Sequence, residues 1–234
     1  MAFLTLDRMG FSASLIMALA LMLLGQQLGM FFVLLMVYFL VLSAVVTWAG
    51  VERKKALKLY QYDRGVSNVI ANGGCPTMIA GVFFVLTNYM AAPGLAFLAV
   101  VGFMSSVAAI TADKFSSELG VLDGMPRQIF TLRKVRRGVS GGVTSLGLAA
   151  GLAGSILIAA GGFAISGQLA TLEGQRAFSM AAVFASVAAA GFVGTVVDSM
   201  LGYYEERGIG NKFTSNFLCS VCGALAGVLL LAAL

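Results

Sequence analysis

The sequence predicts an all-α fold, a polytopic membrane helix bundle with about seven transmembrane helices. Of the 234 residues, 59% are hydrophobic and only 11% are charged, whereas a soluble domain has about 25% charged residues. Seven apolar stretches are separated by polar or glycine-containing segments, and about 20 apolar residues suffice to cross a bilayer. We therefore expect a single membrane domain over residues 1–234.

The first 50 residues are expected to form an N-terminal helical hairpin. Residues 9–24 and 30–50 are apolar, and the polar, glycine-flanked segment 25–29 between them is typical of a tight turn. Because one apolar stretch follows the other almost directly, a cleavable signal peptide is not expected. Residues 51–65 carry five cations and are interpreted as a topology anchor, with a surface for anionic lipid or substrate as the alternative.

The third apolar stretch, residues 66–90, begins with residues that disfavour a regular helix. Asn72 is followed by two glycines, Cys75 and Pro76. Interrupted backbone is tolerated inside a membrane only where protein or a wet cavity satisfies it. We expect a broken helix beside a cavity, and then a fourth span over residues 95–112.

Residues 112–143 form the longest charged interruption and are expected to be a loop. They contain three carboxylates, Asp113, Glu118 and Asp123, six cations and a glycine-rich run at 138–142. Carboxylates can hold a hard divalent cation, Lys and Arg can hold phosphates, and the amides of a glycine turn that opens a helix can cradle an anion. These features indicate a nucleotide-handling site; a basic loop that only fixes topology is the alternative.

Three further spans are expected at residues 139–165, 177–201 and 213–234, with a polar loop at 166–176 and a short charged loop at 205–212. Asp198 lies in the last turns of the sixth span, and Asn216 lies near the start of the seventh. Cys219 and Cys222 form a CxxC pattern in an apolar run without another soft ligand, so they are interpreted as small buried side chains.

The cations predict the orientation. With seven spans, fourteen of the fifteen Lys and Arg residues fall on one side, which places the N-terminus in the cytoplasm and the C-terminus outside. Asn72, Asp113, Glu118, Asp198 and Asn216 then lie at cytoplasmic helix ends, and carboxylates in such places are candidates for function. A structural partner for Asp198 and an ion pair of Asp113 with its neighbour remain alternatives. The chain has no His, which favours Mg²⁺ over Zn²⁺.

Five short motifs occur in an order that resembles a known family over about residues 60–220. They are Asn72-Gly73-Gly74, Ala112-Asp113 with Ser117-Glu118-Leu119-Gly120, Pro126, Gly138 with Gly141-Gly142-Val143, and Asp198-Ser199 with Leu201-Gly202. Together they resemble the integral membrane family that includes transmembrane protein 19 and the chloroplast phytyl-phosphate kinase of the vitamin E pathway. The resemblance implies a CTP-dependent kinase that converts an isoprenyl monophosphate, such as phytyl phosphate, to the diphosphate.

The resemblance and the residue chemistry together give an expected site. Asp113, Glu118 and Asp198 are expected to be catalytic and to bind Mg²⁺. The expected nucleotide- or phosphate-binding residues are Asn72, Lys134, Arg136, Arg137, Gly138, Ser140, Gly141, Gly142 and Asn216. The chain departs from the family pattern at Lys114, Arg136-Arg137, Val139 and Tyr203-Tyr204, changes that bear on the preferred lipid or nucleotide.

The expected partners are CTP, an isoprenyl monophosphate lipid and the membrane, with an active site facing the cytoplasm of a multi-pass cell-membrane protein. Nucleic acid is not expected, and a homo-oligomer is left open. A CDP-lipid synthase would need the same components, but it releases pyrophosphate instead of CDP. A small-solute transporter is the third interpretation, and its polar residues would more often lie near the bilayer midplane.

Overall fold

The computed structural model describes residues 5–60, 64–165 and 178–234. Within these ranges the chain forms eight α-helices, a 3₁₀ turn (Gln26–Leu28) and one small antiparallel sheet. The helices are α1 (Arg8–Gly25), α2 (Gly29–Trp48), α3 (Val51–Ala56), α4 (Val66–Asn88), α5 (Pro93–Gly120), α6 (Ser145–Ile165), α7 (Met180–Glu205) and α8 (Lys212–Ala232). The sheet pairs β1 (Arg127–Gln128) with β2 (Gly142–Val143).

The helices confirm the predicted all-α membrane bundle. Six stretches of the described residues are long and apolar enough to cross a membrane, and the first, Arg8–Trp48, is 41 residues long. That stretch contains both α1 and α2, which fold back on each other at the 3₁₀ turn. Met17 of α1 and Met36 of α2 both pack against Gly73 of α4, so the midpoints of the two helices lie side by side in a hairpin.

Helix α5 is the centre of the bundle. It packs against α2, α4, α6, α7 and α8, and nearly all of its middle is buried. Small residues on its neighbours allow this close approach: a Cβ added to Gly151 of α6 would lie 3.2 Å from the carbonyl oxygen of Ala112, and Gly194 of α7 packs directly on Ala109. Close backbone approach of this kind is how membrane helices gain packing energy.

The structure corrects two predicted boundaries around the central loop. Helix α5 continues to Gly120, so the charged residues from Asp113 to Glu118 lie on a helix and not in a loop. Helix α6 begins at Ser145, so the glycine run does not open it. Gly138 and Gly141 have φ angles of +83° and +73°, a left-handed conformation that a right-handed helix does not contain.

The expected break in the third span is also corrected. Helix α4 runs without interruption through Pro76. Proline has no N–H, so the carbonyl of Asn72 loses its regular helical donor, while the hydroxyl of Thr77 donates to the carbonyl of Gly73 at 2.8 Å. The missing donor therefore costs one hydrogen bond and does not end the helix. The polar loop predicted at 166–176 lies outside the described residues.

Candidate functional site

A cavity of about 920 Å³ lies at the end of the bundle where α5 and α7 end and where α4 and α8 begin. It collects ten of the twelve predicted site residues. They are Asn72, Asp113, Glu118, Arg137, Gly138, Ser140, Gly141, Gly142, Asp198 and Asn216. Because successive helices run in opposite directions, this one end of the bundle gathers residues that are up to 144 positions apart in the chain.

The other two predicted residues, Lys134 and Arg136, do not line the cavity. Both are exposed on the outer side of the central loop. The backbone of Lys134 forms an isolated antiparallel bridge with Arg127. The predicted phosphate contact of these two cations is not supported by where they lie.

Two buried carboxylates share one lysine in the cavity. Asp113 of α5 and Asp198 of α7 are 8% and 7% exposed. The ammonium of Lys212, the first residue of α8, lies 2.8 Å from Asp198 Oδ2 and 4.0 Å from Asp113 Oδ2. The other oxygen of Asp198, Oδ1, is buried and accepts no hydrogen bond from any described residue.

Two asparagines meet beside this acidic pair. Asn216 Nδ2 donates to Asn72 Oδ1 at 3.4 Å, and Asn72 Nδ2 donates to the carbonyl of Asn68 at 2.8 Å. The amide oxygen of Asn216 is buried and, like Asp198 Oδ1, has no donor among the described residues. A buried oxygen without a donor costs about 1–3 kcal/mol, and carboxylate and amide oxygens are ligands that a hard cation accepts.

Glu118 does not join Asp113 and Asp198, which corrects the predicted three-carboxylate site. Its carboxylate lies 2.7 Å from Lys54 Nζ and 2.9 Å from Arg64 Nη2, and it also pairs with Lys114. In the described ranges no three Asp, Glu, His or Cys side chains come together in a way that could hold a metal ion. Three cations hold Glu118 instead.

Some of the amides in the glycine run already have acceptors inside the protein. Ser140 N–H donates to Glu206 Oε1 at 2.9 Å, and Gly142 N–H donates to the Val139 carbonyl at 3.2 Å. A Cβ on Gly141 would lie 2.6 Å from the backbone nitrogen of Tyr203 and 2.7 Å from the carbonyl oxygen of Ser199. The run therefore docks the central loop onto the end of α7, and its lack of side chains leaves room for that contact.

Asp123, the remaining carboxylate of residues 112–143, lies outside the cavity and caps α6. It accepts hydrogen bonds from Gly124 N–H at 2.7 Å and Leu146 N–H at 3.3 Å. These two donors hold the pKa of Asp123 below its usual value, because they stabilise the ionised form. Its role is to fix the start of a helix.

The residue that sequence reasoning missed at the acidic pair is Lys212. It is the last charge before the seventh apolar stretch, as Asp198 is the last one at the end of the sixth. The rule that selected Asp198, an ionisable group at the membrane end of a span, selects Lys212 equally well. Arg64 belongs to the segment interpreted as a topology anchor, with a surface for anionic lipid or substrate as the alternative, and the structure places it in the cavity wall.

Comparison with known proteins gives a family for the chain. The family model described as "Integral membrane protein DUF92" matches residues 2–227. The uncharacterized membrane protein MJ0933 of Methanocaldococcus jannaschii is 32% identical over 204 residues, which cover 86% of this chain and 77% of that protein. Protein PGR of Arabidopsis thaliana is 31% identical over 180 residues, which cover 72% of this chain and 62% of the plant protein. No solved structure matches the chain.

Proposed function

We propose that this chain, which belongs to the integral membrane protein family DUF92, is a CTP-dependent kinase that converts an isoprenyl monophosphate to the diphosphate. The observation that carries the proposal is the pair of buried carboxylates, Asp113 and Asp198, next to unpaired oxygens in a cavity at the helix ends of a membrane bundle. We place this site at the cytoplasmic face, where CTP is available.

The charge of the cavity supports an anionic ligand. Five cations line it against the three carboxylates already described, so the wall carries an excess of positive charge. The cations are Lys58, Arg64, Lys114, Arg137 and Lys212. Phosphates bind to such clusters through charge-assisted hydrogen bonds, and the neighbouring bilayer accepts the hydrocarbon tail of the acceptor.

The carboxylate and amide oxygens fit a magnesium ion. Mg²⁺ in phosphoryl-transfer sites commonly uses one or two carboxylates and takes its other ligands from water and substrate phosphates. Among the described residues, Asp198 Oδ1 and Asn216 Oδ1 are the buried carboxylate and amide oxygens that lack a donor, and the carboxylate of Asp113 would be the third ligand. A bound ion would supply positive charge to the nucleotide phosphates.

The reaction needs no strong base from the protein, in keeping with a chain that lacks His. An oxygen of the ionised acceptor phosphate forms a bond to the γ-phosphorus of CTP. The bond from that phosphorus to the β–γ bridging oxygen breaks, and its electron pair leaves with CDP. The protein would act by positioning and by charge, with Lys212 and Arg137 offsetting phosphate charge.

The test is product analysis with the purified chain, CTP labelled in the γ- or α-phosphate, Mg²⁺ and a panel of isoprenyl monophosphates. We expect label from the γ-position to appear in the lipid diphosphate and CDP to be released. The unphosphorylated isoprenols and the other nucleoside triphosphates serve as controls. Label from the α-position in the lipid, with pyrophosphate release, would instead mean cytidylyl transfer and would contradict the kinase proposal.

The proposed orientation is tested by single cysteines on a background without Cys75, Cys219 and Cys222. We expect Gly124→Cys, in the open part of the central loop, to be shielded from a membrane-impermeant maleimide in intact cells. Met90→Cys, 59% exposed at the opposite end of α4, should be labelled. Labelling of position 124 and protection of position 90 would reverse the topology and the proposed cytoplasmic site.

A further inference from the structure

Four charged side chains form a buried group beside the cavity, here called the basic cluster: Lys54, Arg64, Lys114 and Glu118. All three cations contact the one carboxylate. Their side chains are only 0% to 15% exposed. The cluster therefore carries an excess of two positive charges in a poorly solvated place, where an unbalanced charge is costly.

Two of the three cations face the cavity with donors to spare. Lys54 is saturated, because its ammonium donates to the carbonyls of Val46 and Thr47, each at 3.0 Å, as well as to Glu118. The contacts described for Arg64 use three of its five N–H donors. Those described for Lys114 use one of three. Both line the cavity, and Lys54 does not.

The protein's own carboxylates do not fully balance Arg64. Burial lowers the pKa of this guanidinium, and the nearby Glu118 and Asp113 act in the opposite direction without cancelling the effect. A further anion next to Arg64 would remove the imbalance. A phosphate monoester carries about −1.5 to −2 charges at neutral pH, which matches the excess in the basic cluster.

The cavity wall becomes apolar one helical turn below the basic cluster. Phe39 lies four residues before Ser43, whose hydroxyl contacts Arg64 at 3.4 Å, and Ile110 lies four residues before Lys114. Residues four apart share a helix face, and both Phe39 and Ile110 line the cavity. A polar head bound here has an apolar floor beneath it on the membrane side.

The residues beneath the acidic side of the cavity are more polar, although Ile110 also lies one turn below Asp113. One turn below Asp198 is Thr195, and one turn below Asn216 is Ser220, both buried hydroxyl residues. Neither hydroxyl oxygen has a hydrogen-bond partner among the described residues. Behind the wall, the acidic half is therefore more polar than the half beside the basic cluster, which suits a nucleotide better than a hydrocarbon tail.

We propose that Arg64 and Lys114 bind the phosphate of the acceptor lipid, and that Glu118 is a positioning residue that holds both cations in place. The inference rests on the proposed function for the identity of the acceptor, and it assigns the acceptor and CTP to different halves of one cavity. The first part of the lipid tail then lies against Phe39 and Ile110.

The test measures binding and not turnover. The full chain, purified in detergent, is titrated with geranylgeranyl monophosphate, with geranylgeraniol, with inorganic phosphate and with CTP plus Mg²⁺. We expect Lys114→Gln to weaken binding of the lipid monophosphate about 10- to 150-fold, which corresponds to the loss of one charge-assisted contact. Binding of CTP and of geranylgeraniol should be unchanged. Arg64→Lys keeps the charge but loses the planar guanidinium with its paired N–H donors, and it should also weaken binding of the lipid monophosphate.

Folding is controlled within the same design. Removing Lys114 relieves repulsion among three cations, so its unfolding midpoint should stay at or above that of the parent. Lys55→Gln is the matched control, because Lys55 lies beside Lys54 on α3 with a 54% exposed side chain, and it should bind every ligand normally. Inorganic phosphate should compete with the lipid monophosphate in the parent chain.

Three results would overturn the inference: no binding of geranylgeranyl monophosphate by the parent, parent-like binding of it by both variants, or an equal loss for CTP or for geranylgeraniol. The last result would mean that the cations act on the nucleotide, or do not act through phosphate at all. Failure of the kinase proposal has a different signature, since lipid monophosphate binding would persist while CTP neither binds nor turns over.

Discussion

Asp198→Asn is expected to lower the proposed CTP-dependent turnover by at least about 10²–10³-fold, the usual loss when a group that stabilises transition-state charge is removed. The substitution keeps the size of the side chain. It removes the negative charge that holds Lys212 at 2.8 Å. It also replaces a carboxylate ligand of the proposed cation by a neutral amide oxygen. Asp113→Asn should have a comparable effect, since Lys212 contacts both carboxylates and the proposed cation site uses both.

The loss is to be measured together with Mn²⁺ binding, followed by electron paramagnetic resonance as a stand-in for Mg²⁺. We expect the affinity for Mn²⁺ to fall in both variants while the unfolding midpoint changes little. Asp123→Asn is the matched control, because Asp123 lies outside the cavity and Asn also caps helices well. Parent-like turnover and Mn²⁺ affinity in Asp198→Asn would exclude Asp198 as a metal ligand.

The sequence was sufficient to predict the bundle and to bring most of the predicted site residues to one cavity, for a simple physical reason. Charges are too costly to lie in the hydrocarbon, so Asp113, Asp198 and Asn216 mark the ends of their spans. Spans that alternate in direction bring every second end to the same side. This argument brings five of the ten cavity residues together, and the other five were predicted from the charge and glycine pattern of the central loop.

The pairing of the charges could not be predicted in the same way, because it depends on where α5 ends. With the helix predicted to stop at residue 112, Asp113 and Glu118 could meet in a flexible loop. The helix continues to Gly120, and residues five apart lie about 140° apart around a helix. Asp113 therefore faces α7 and α8, while Glu118 shares a face with Lys114, four residues earlier, and turns towards α2.

The glycine run shows a second limit of sequence reasoning. A Gly-rich segment before an apolar span fits an anion cradle, and it fits a close contact between backbones equally well. The structure shows the close contact: Gly202 of α7 packs directly on the backbone of Gly141, while the anion-binding role stays a prediction. Two glycines about 60 residues apart in the chain thus act as a pair, and neither local motif indicates its partner.

Glu118→Gln is expected to lower the free energy of unfolding by about 3–5 kcal/mol, the usual cost of breaking a buried ion pair. The change leaves Lys54, Arg64 and Lys114 close together without their common counter-ion, in side chains at most 15% exposed. The unfolding midpoint in detergent should fall accordingly. Glu52→Gln removes a carboxylate that is 84% exposed and paired with Lys55, so it should cost less than about 1 kcal/mol.

The same variant decides between the two roles considered for Glu118. If Glu118 is the counter-ion of the basic cluster, Glu118→Gln loses stability and retains the Mn²⁺ affinity of the parent, because Asp113, Asp198 and Asn216 are untouched. A metal ligand would show the reverse, with weak Mn²⁺ binding and a parent-like midpoint. The geometry favours the first result, since the three cations around Glu118 would repel a metal ion from its oxygens.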